Sequence, residues 1–352
     1  MLTKEEVIEL LNNVKDPFLH TTLEETEGVL EVTIREEKKH VSVKLAIGEP
    51  NTAEQMTLQQ EIVGILKKNG ANTVGLRFEQ LPDDIIKKYQ PTSEESDSIL
   101  AGEKQPHFVA IASGKGGVGK STVTVNLAMA LMRIGKKVGI IDADIYGFSI
   151  PDMMGIEQIP AVRGEKIIPV ERFGVKVISM GFFVEDNSPI IWRGPMLGKM
   201  LNNFFNEVEW GDLDYLLLDL PPGTGDIAMD VHELIPSCKE VIVTTPHPTA
   251  AFVAARAGQM ALKTDHEILG VVENMAYFES EKTGEKEYVF GQGGGDNLAQ
   301  VLKTKVLGRL PLNQPYLDED VFAPSIYQED HPNGKEYHRM AAKIIAQLEE
   351  EK

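Results

Sequence analysis

The stretch "HFVAIASGKGGVGKSTVTVNLAMALM", residues 107–132, decides the fold. It begins with an apolar run typical of a buried strand, continues as a glycine-rich loop and ends in a helical pattern. The loop matches the phosphate-binding pattern G-x-x-x-x-G-K-[ST] at Gly114, Gly119, Lys120 and Ser121. A bare match occurs by chance, but a loop between a strand and a helix is the context that phosphate binding requires. The sequence therefore predicts a nucleotide-binding P-loop.

The residue types in this loop explain its chemistry. Glycines let backbone N–H groups turn toward phosphates, and the helix N-terminus adds a positive dipole end. Lys120 is expected to reach the β- and γ-phosphates, and the Ser121 hydroxyl to bind Mg²⁺. The pattern does not require the second lysine, Lys115. The residues expected to contact nucleotide are Gly114, Lys115, Gly116, Gly117, Val118, Gly119, Lys120, Ser121 and Thr122.

Carboxylates follow two other apolar strands. Asp219 ends the strand "YLLLDL" and is expected to be the second magnesium ligand, before a loop, "PPGTGD", that could respond to the γ-phosphate. Asp142 and Asp144 end the strand in "GIIDAD". Open α/β sheets bind ligands at the carboxyl ends of their strands, and a carboxylate there could orient the attacking water. A helix cap or turn is the alternative for any one of these aspartates taken alone.

A polar segment with few apolar residues, residues 91–106, separates two regions whose apolar residues follow different patterns. After it, apolar strands alternate with helical stretches, which predicts a mostly parallel sheet with helices on both faces. Before it, a helix with a capping box at Thr3 and Glu6, a hairpin, a second helix and a third strand predict a small α+β domain. The predicted organisation is a small domain over residues 1–90, a linker over 91–106 and a P-loop α/β domain over 107–352.

Composition limits the function. The net charge of the 352 residues is −19, which disfavours broad binding to nucleic acid or to anionic membrane. The single cysteine, Cys238, excludes an intrachain disulfide and fits a cytoplasmic location. The N-terminus does not have the pattern of a secretory signal, and no window is apolar enough for a transmembrane helix.

At this point the motifs carry a family resemblance. "SGKGGVGKST" has the form K-G-G-x-G-K-[ST] and resembles the deviant Walker A motif of the MinD-like ATPases. "DADIYG", "IIWRGPM", "LDLPPGTGD", "GVVENMAYF" and "FGQGGG" resemble motifs of the Mrp/ApbC family within that class. The resemblance runs from about Gln105 to the C-terminus, and the first 90 residues resemble the small domain often fused in front of Mrp proteins. It implies an ATPase that uses ATP and Mg²⁺ and acts as a homodimer.

The resemblance also implies roles for single residues. Lys115 would reach across the dimer interface to the phosphates held by the other subunit. Asp144 would orient the attacking water. Asn274 would contact the adenine, with the loop around Pro311 beside it. The implied catalytic residues are therefore Lys115 and Asp144, together with Lys120.

One element of the family pattern is missing. Many Mrp proteins carry C-x-x-C just after the element that corresponds to "ENMAYF" in this chain. Two subunits then hold an iron–sulfur cluster through four thiolates. Here the stretch "ENMAYFESEKTGEKEYVFG" puts Ser280 and Thr283 in the place of the cysteines. Cys238 is interpreted as a small core residue. We therefore expect no iron–sulfur cluster.

Two functions remain open. Cysteine-less Mrp-type proteins of the SalA kind act in control of gene expression, so the missing pair favours a regulatory ATP switch that acts on DNA or on a protein partner. The alternative is an iron–sulfur cluster carrier or assembly ATPase that uses other ligands, such as histidine or carboxylate. A small-molecule kinase is disfavoured because nothing resembles a phosphoacceptor site.

Overall fold

The computed structural model shows two compact units, Met1–Ser96 and Asp97–Lys352, which are described separately. The described residues are 2–19, 21–35, 39–48, 50, 53–89, 98–100, 104–145, 147–164, 166–183, 194–280, 282–316 and 323–349. Most of the predicted linker, residues 91–97 and 101–103, lies outside these ranges. So does 184–193, which includes part of the "IIWRGPM" motif.

The first unit is a small three-stranded sheet with helices packed on it. Its elements are α1 (Lys4–Asn12), β1 (Val29–Arg35), β2 (His40–Ile47), α2 (Ala53–Lys68), β3 (Thr73–Gln80) and α3 (Asp83–Tyr89). β1 and β2 form the predicted antiparallel hairpin, and β3 joins β2 in parallel. The predicted capping box is present, because the Glu6 N–H donates to Thr3 Oγ1 (3.2 Å) and the Thr3 N–H donates to Glu6 Oε2 (2.8 Å).

The second unit is built on an eight-stranded sheet. The strands of the unit are β4 (His107–Ser113), β5 (Val138–Asp142), β6 (Ala161–Arg163), β7 (Lys166–Ile168), β8 (Val170–Arg172), β9 (Val175–Ser179), β10 (Tyr215–Asp219), β11 (Lys239–Thr244), β12 (Ile268–Glu273), β13 (Phe278–Glu279), β14 (Lys286–Glu287) and β15 (Val306–Arg309). The order in the large sheet is β15-β12-β11-β4-β10-β5-β9-β8. Every neighbouring pair in it is parallel except β8 with β9 at the edge. The predicted mostly parallel sheet is therefore confirmed.

Helices cover both faces of this sheet. They are α4 (Lys120–Arg133), α5 (Ile150–Met154), α6 (Gly194–Asn206), α7 (Asp226–Leu234), α8 (Pro248–Lys263), α9 (Gly294–Val301) and α10 (Pro332–Glu349). Apolar side chains of α4, α5 and α10 share one core, and those of α6 to α9 share the other. Strand residues alternate between the two cores: in β4, Val109 and Ile111 belong to the first, whereas Phe108 and Ala110 belong to the second.

Two further features concern the sequence predictions. Ile99 and Leu100, which the sequence assigns to the linker, pack against the core of the second unit. In the described part of the chain, no helix is both long enough and apolar enough to cross a membrane.

Candidate nucleotide site

The P-loop connects β4 to α4, and its backbone explains the glycines. Gly117 (φ 78°) and Gly119 (φ 81°) lie in the left-handed region, where a side chain is strained. Gly114 is needed for a different reason. A Cβ on it would lie 2.3 Å from the backbone of Val253 and Ala254 in α8. The loop can therefore keep this path only with glycine at these three positions.

Asp219 lies at the centre of a cluster of donors from α4. Lys120 Nζ is 2.6 Å from Asp219 Oδ2, and the Ser121 hydroxyl donates to the same oxygen at 2.6 Å. The Thr124 hydroxyl donates to Asp219 Oδ1, also at 2.6 Å. Lys120 and Asp219 are both buried. Three side chains of the first turns of α4 thus meet the carboxylate that ends β10.

Two more carboxyl groups lie beside this cluster. Asp144 Oδ2 is 3.6 Å from Lys120 Nζ. Asp142 is fully buried and accepts from the Ser179 hydroxyl at 3.0 Å. Burial, followed by the nearby negative charge of Asp219, raises the pKa of Asp142 well above its usual range, and Lys120 opposes this shift. Each strand end that the sequence singled out therefore contributes a carboxyl group to one site.

A cavity of about 360 Å³ opens at this cluster. Its lining comprises Ser113, Lys115, Gly116, Gly117, Gly119, Lys120, Ser121, Asp144, Gly147, Ser149, Met153 and Pro222. Lys115 is exposed, unlike the buried Lys120. Three other loop residues expected to contact nucleotide are not part of the lining: buried Val118 and half-buried Gly114 and Thr122. Lys120, which the P-loop pattern requires, is therefore buried, whereas Lys115, which the pattern does not require, is exposed to solvent.

The two residues predicted to lie near adenine are close to the loop. Asn274 is buried just after β12, and its Nδ2 donates to Val118 O of the P-loop at 2.9 Å. The backbone of the segment after Asn274 is tied to the loop that carries Pro311, because Ala276 N–H donates to Leu310 O at 2.8 Å. This arrangement leaves the adenine contact a prediction. It shows that the Asn274 amide also holds the P-loop.

Sequence reasoning missed Thr124 and Ser179, which orient Asp219 and Asp142. A signal for Thr124 was available, because it lies three residues after Ser121 and so shares a helix face with it. Ser179 gave no comparable signal, since its contact with Asp142 depends on the pairing of β9 with β5.

The stretch that lacks cysteines forms an exposed hairpin. β13 and β14 pair antiparallel, with Ser280 and Thr283 in the turn between them. Ser280 N–H donates to Glu285 O at 3.0 Å. Cys238 is buried, and burial, with a smaller effect of Glu240, raises the pKa of its thiol well above the usual range. Among the described residues, no three His, Cys, Asp or Glu side chains are grouped so as to hold a metal ion.

Comparison with known proteins identifies relatives of this architecture. The family model described as "ParA: NUBPL iron-transfer P-loop NTPase" matches residues 104–345. A Bacillus subtilis (strain 168) protein named iron-sulfur cluster carrier protein is 63% identical over 348 residues, 99% of each chain. A Mycobacterium leprae protein of the same name is 51% identical over 239 residues, 66% of this chain and 62% of the relative. A solved nucleotide-binding protein from Archaeoglobus fulgidus, in complex with ADP, is 40% identical with a TM-score of 0.55, over 66% of this chain and 91% of that one.

These relatives correct two predictions. The expected role in gene expression, through DNA or a regulatory protein partner, is contradicted because the relatives are named as iron–sulfur cluster carriers. The expectation that no iron–sulfur cluster is involved is contradicted by the same names. The reasoning failed because the absence of one thiolate pair removes one ligand set and says nothing about other donors.

Proposed function

The chain belongs to the ParA/NUBPL iron-transfer P-loop NTPase family, and we propose that it is an ATP-hydrolysing iron–sulfur cluster carrier that acts as a homodimer in the cytoplasm. One observation carries the nucleotide part of this proposal. Lys120 Nζ and the Ser121 hydroxyl each lie 2.6 Å from Asp219 Oδ2, and a cavity opens over the P-loop beside them. The names of the relatives support the cargo.

Different residues of the site bind the phosphates, hold Mg²⁺ and position the attacking water. The loop amides and Lys120 bind the phosphates, since charge-assisted hydrogen bonds are the strong ones. Ser121 and Asp219 supply adjacent oxygen donors, the ligand type that Mg²⁺ prefers, so they would hold the ion, which offsets phosphate charge. Asp144, beside Lys120, orients the attacking water. Exposed Lys115 reaches the phosphates held by the partner subunit and stabilises charge that develops during hydrolysis.

The cysteine content limits how the cluster is held. With one cysteine per chain, a dimer supplies two thiolates, whereas an iron–sulfur cluster usually takes four. Cys238 is moreover buried, with its thiol pKa raised. The four-thiolate set is therefore not available from this chain. In the proposed function, the cluster ligands come from oxygen or nitrogen donors of the two chains or from a thiol compound in solution.

Anaerobic reconstitution tests the cargo. The chain is incubated with iron and sulfide, with and without glutathione, and separated from free ions on a sizing column. Iron, sulfide and the visible spectrum are then measured, followed by transfer to an apo-ferredoxin with and without Mg-ATP. We expect retained iron and sulfide, and a transfer rate that depends on ATP. Protein that holds neither iron nor sulfide under both conditions would show that the carrier function is wrong.

Two variants separate the parts of the proposal. Lys120→Ala should retain cluster loading but lose the effect of ATP on transfer. Cys238→Ser should load like the wild type, because the buried thiol is not positioned as a ligand. Light scattering with ATP and with ADP tests the dimer, and phosphate release tests hydrolysis. Equal transfer rates with and without ATP would contradict the proposed link between ATP and cluster transfer, and would leave the carrier function itself standing.

A further inference from the structure

A second cavity, of about 320 Å³, lies between the C-terminal end of α4 and the first turns of α10. Four of its lining side chains carry a basic group or an imidazole: Arg133, Lys335, His338 and Arg339. Glu329 is the one carboxylate in the lining, and Glu336 contacts Arg339 beside it. The whole chain has a net charge of −19, so a basic cavity is a local reversal of its electrostatic character.

The three residues from α10 point to a shared face. Lys335, His338 and Arg339 are spaced by three and four residues, which places them one above the other on the helix. Arg339 contacts Glu336 at 2.8 Å, and its side chain remains 68% exposed. Lys335 and His338 form no ion pair among the residues that the structure describes. The Lys335 and His338 side chains are therefore available to a ligand, and Arg339 adds a largely exposed guanidinium beside them.

The Arg133 side chain is held in place by contacts with Tyr327 and Glu329. Its Nη1 donates to Tyr327 O at 2.9 Å, and its Nε lies 3.6 Å from Glu329 Oε1. Burial lowers the pKa of Arg133, and the negative charge of Glu329 opposes this shift without cancelling it. The Glu329 side chain is 73% exposed. A half-buried guanidinium with an incomplete counter-charge favours an anion beside it, and guanidinium groups match phosphate oxygens in geometry.

The nucleotide site cannot account for this cavity. Lys120 and Arg133 are the first and last residues of α4. A rise of about 1.5 Å per residue separates them by roughly 20 Å along the helix axis. A nucleotide bound at the P-loop has its phosphates at the opposite end of α4. The basic cavity is therefore a separate site.

We propose that the cavity formed by Arg133, Lys335, His338 and Arg339 binds a small phosphate-bearing anion. Its volume is at the lower end of the range for small-molecule pockets, which suits a compact ligand of the pyrophosphate type. The donors come from two helices, so the ligand bridges α4, which begins at the P-loop, and α10. This site goes beyond the proposed carrier function and does not depend on it.

Pyrophosphate is the probe, titrated into protein loaded with excess Mg-ADP so that the P-loop is filled. Binding is followed by calorimetry at constant ionic strength and by the NMR signal of the His338 ring, assigned with His338→Gln. We expect saturable binding that shifts this signal. The variant Lys335→Gln/His338→Gln should bind at least about tenfold more weakly, because charge-assisted hydrogen bonds are lost. Lys305→Gln, an exposed lysine elsewhere on the same unit, is the matched control and should bind like the wild type.

Several outcomes overturn the proposal. They are no saturable binding to the ADP-loaded chain, binding without a shift of the His338 signal, and equal weakening in the control variant. If circular dichroism shows that the double variant is unfolded, Arg339→Gln replaces it, since that side chain is largely exposed. Wild-type affinity for pyrophosphate in a folded Arg339→Gln chain would also refute the site. Unchanged affinity for pyrophosphate in the single variant Lys335→Gln would do the same.

Discussion

Thr124→Val tests whether the nucleotide site depends on a residue outside the P-loop pattern. The Thr124 side chain is fully buried, and its hydroxyl donates to Asp219 Oδ1 at 2.6 Å. Valine has nearly the same shape but places a methyl group at the position of the hydroxyl. The substitution therefore removes one hydrogen bond from a buried carboxylate and adds a repulsive contact in its place.

The structure sets the size of the effect. A methyl carbon approaches an oxygen no closer than about 3.3 Å, so the 2.6 Å separation must grow by ~0.7 Å. Loss of a hydrogen bond to a charged group costs about 1.5–3 kcal/mol of unfolding free energy. A misplacement of about 1 Å can lower kcat on the order of 10²-fold, so a tenfold to hundredfold loss is expected here. Affinity for ATP should change less, because Lys120 and the loop amides remain.

The assay is steady-state phosphate release over a series of Mg²⁺ concentrations, combined with denaturant unfolding. Thr124→Val should need more Mg²⁺ for half-maximal activity, because Asp219 is one of the two proposed magnesium ligands. Thr124→Ser retains the hydroxyl and should recover most of the activity, which separates positioning from general destabilisation. Wild-type kcat and Mg²⁺ dependence in a folded Thr124→Val chain would refute the reasoning.

Four further outcomes are expected. Lys120→Ala should lose most ATP affinity in calorimetry, and wild-type binding would contradict the P-loop assignment. Asp144→Ala should bind ATP but hydrolyse it on the order of 10²–10⁴-fold more slowly in phosphate release, and an unchanged rate would exclude a catalytic role. Lys115→Ala mixed with Asp144→Ala should regain activity through heterodimers, and an inactive mixture of proven heterodimers would show that Lys115 does not act in trans. Cys238 should react slowly with a chromogenic disulfide reagent and quickly in urea, because burial raises the pKa of its thiol; rapid reaction of the folded chain would contradict its buried position.

The sequence predicted the parts of the fold that depend on local pattern. Apolar runs such as "YLLLDL" became β10, and the strand–loop–helix order around Lys120 became the phosphate loop. Parallel pairing then brings Asp219 and Asp142 to the same edge, because β10 lies beside β5 in register. The sequence could not predict the antiparallel strand β8 or the hairpin of β13 and β14, since both are short and their pairing is set by tertiary contacts.

The motif "FGQGGG" shows why a motif does not by itself reveal a role. Gly295 N–H donates to Glu273 Oε2 at 2.5 Å, so a protein carboxylate already occupies the N-terminus of α9. A Cβ on Gly294 would lie 2.3 Å from Pro246 O. In the described structure these glycines allow close packing and capping of α9. Only the position of Glu273 in the folded chain reveals this.

The charges around Lys120 support the proposed role of the second lysine, Lys115. Three carboxyl groups, Asp142, Asp144 and Asp219, lie in its neighbourhood. A triphosphate adds further negative charge to a chain whose net charge is already −19. The raised pKa of Asp142 reduces this repulsion, because a buried carboxyl that keeps its proton to higher pH adds less negative charge beside Asp219. In the proposed homodimer, Mg²⁺ and the exposed Lys115 of the other subunit offset the remaining negative charge. Under this proposal, Lys115 supplies a positive charge to the partner's phosphates, and ATP binding favours the dimer through this lysine.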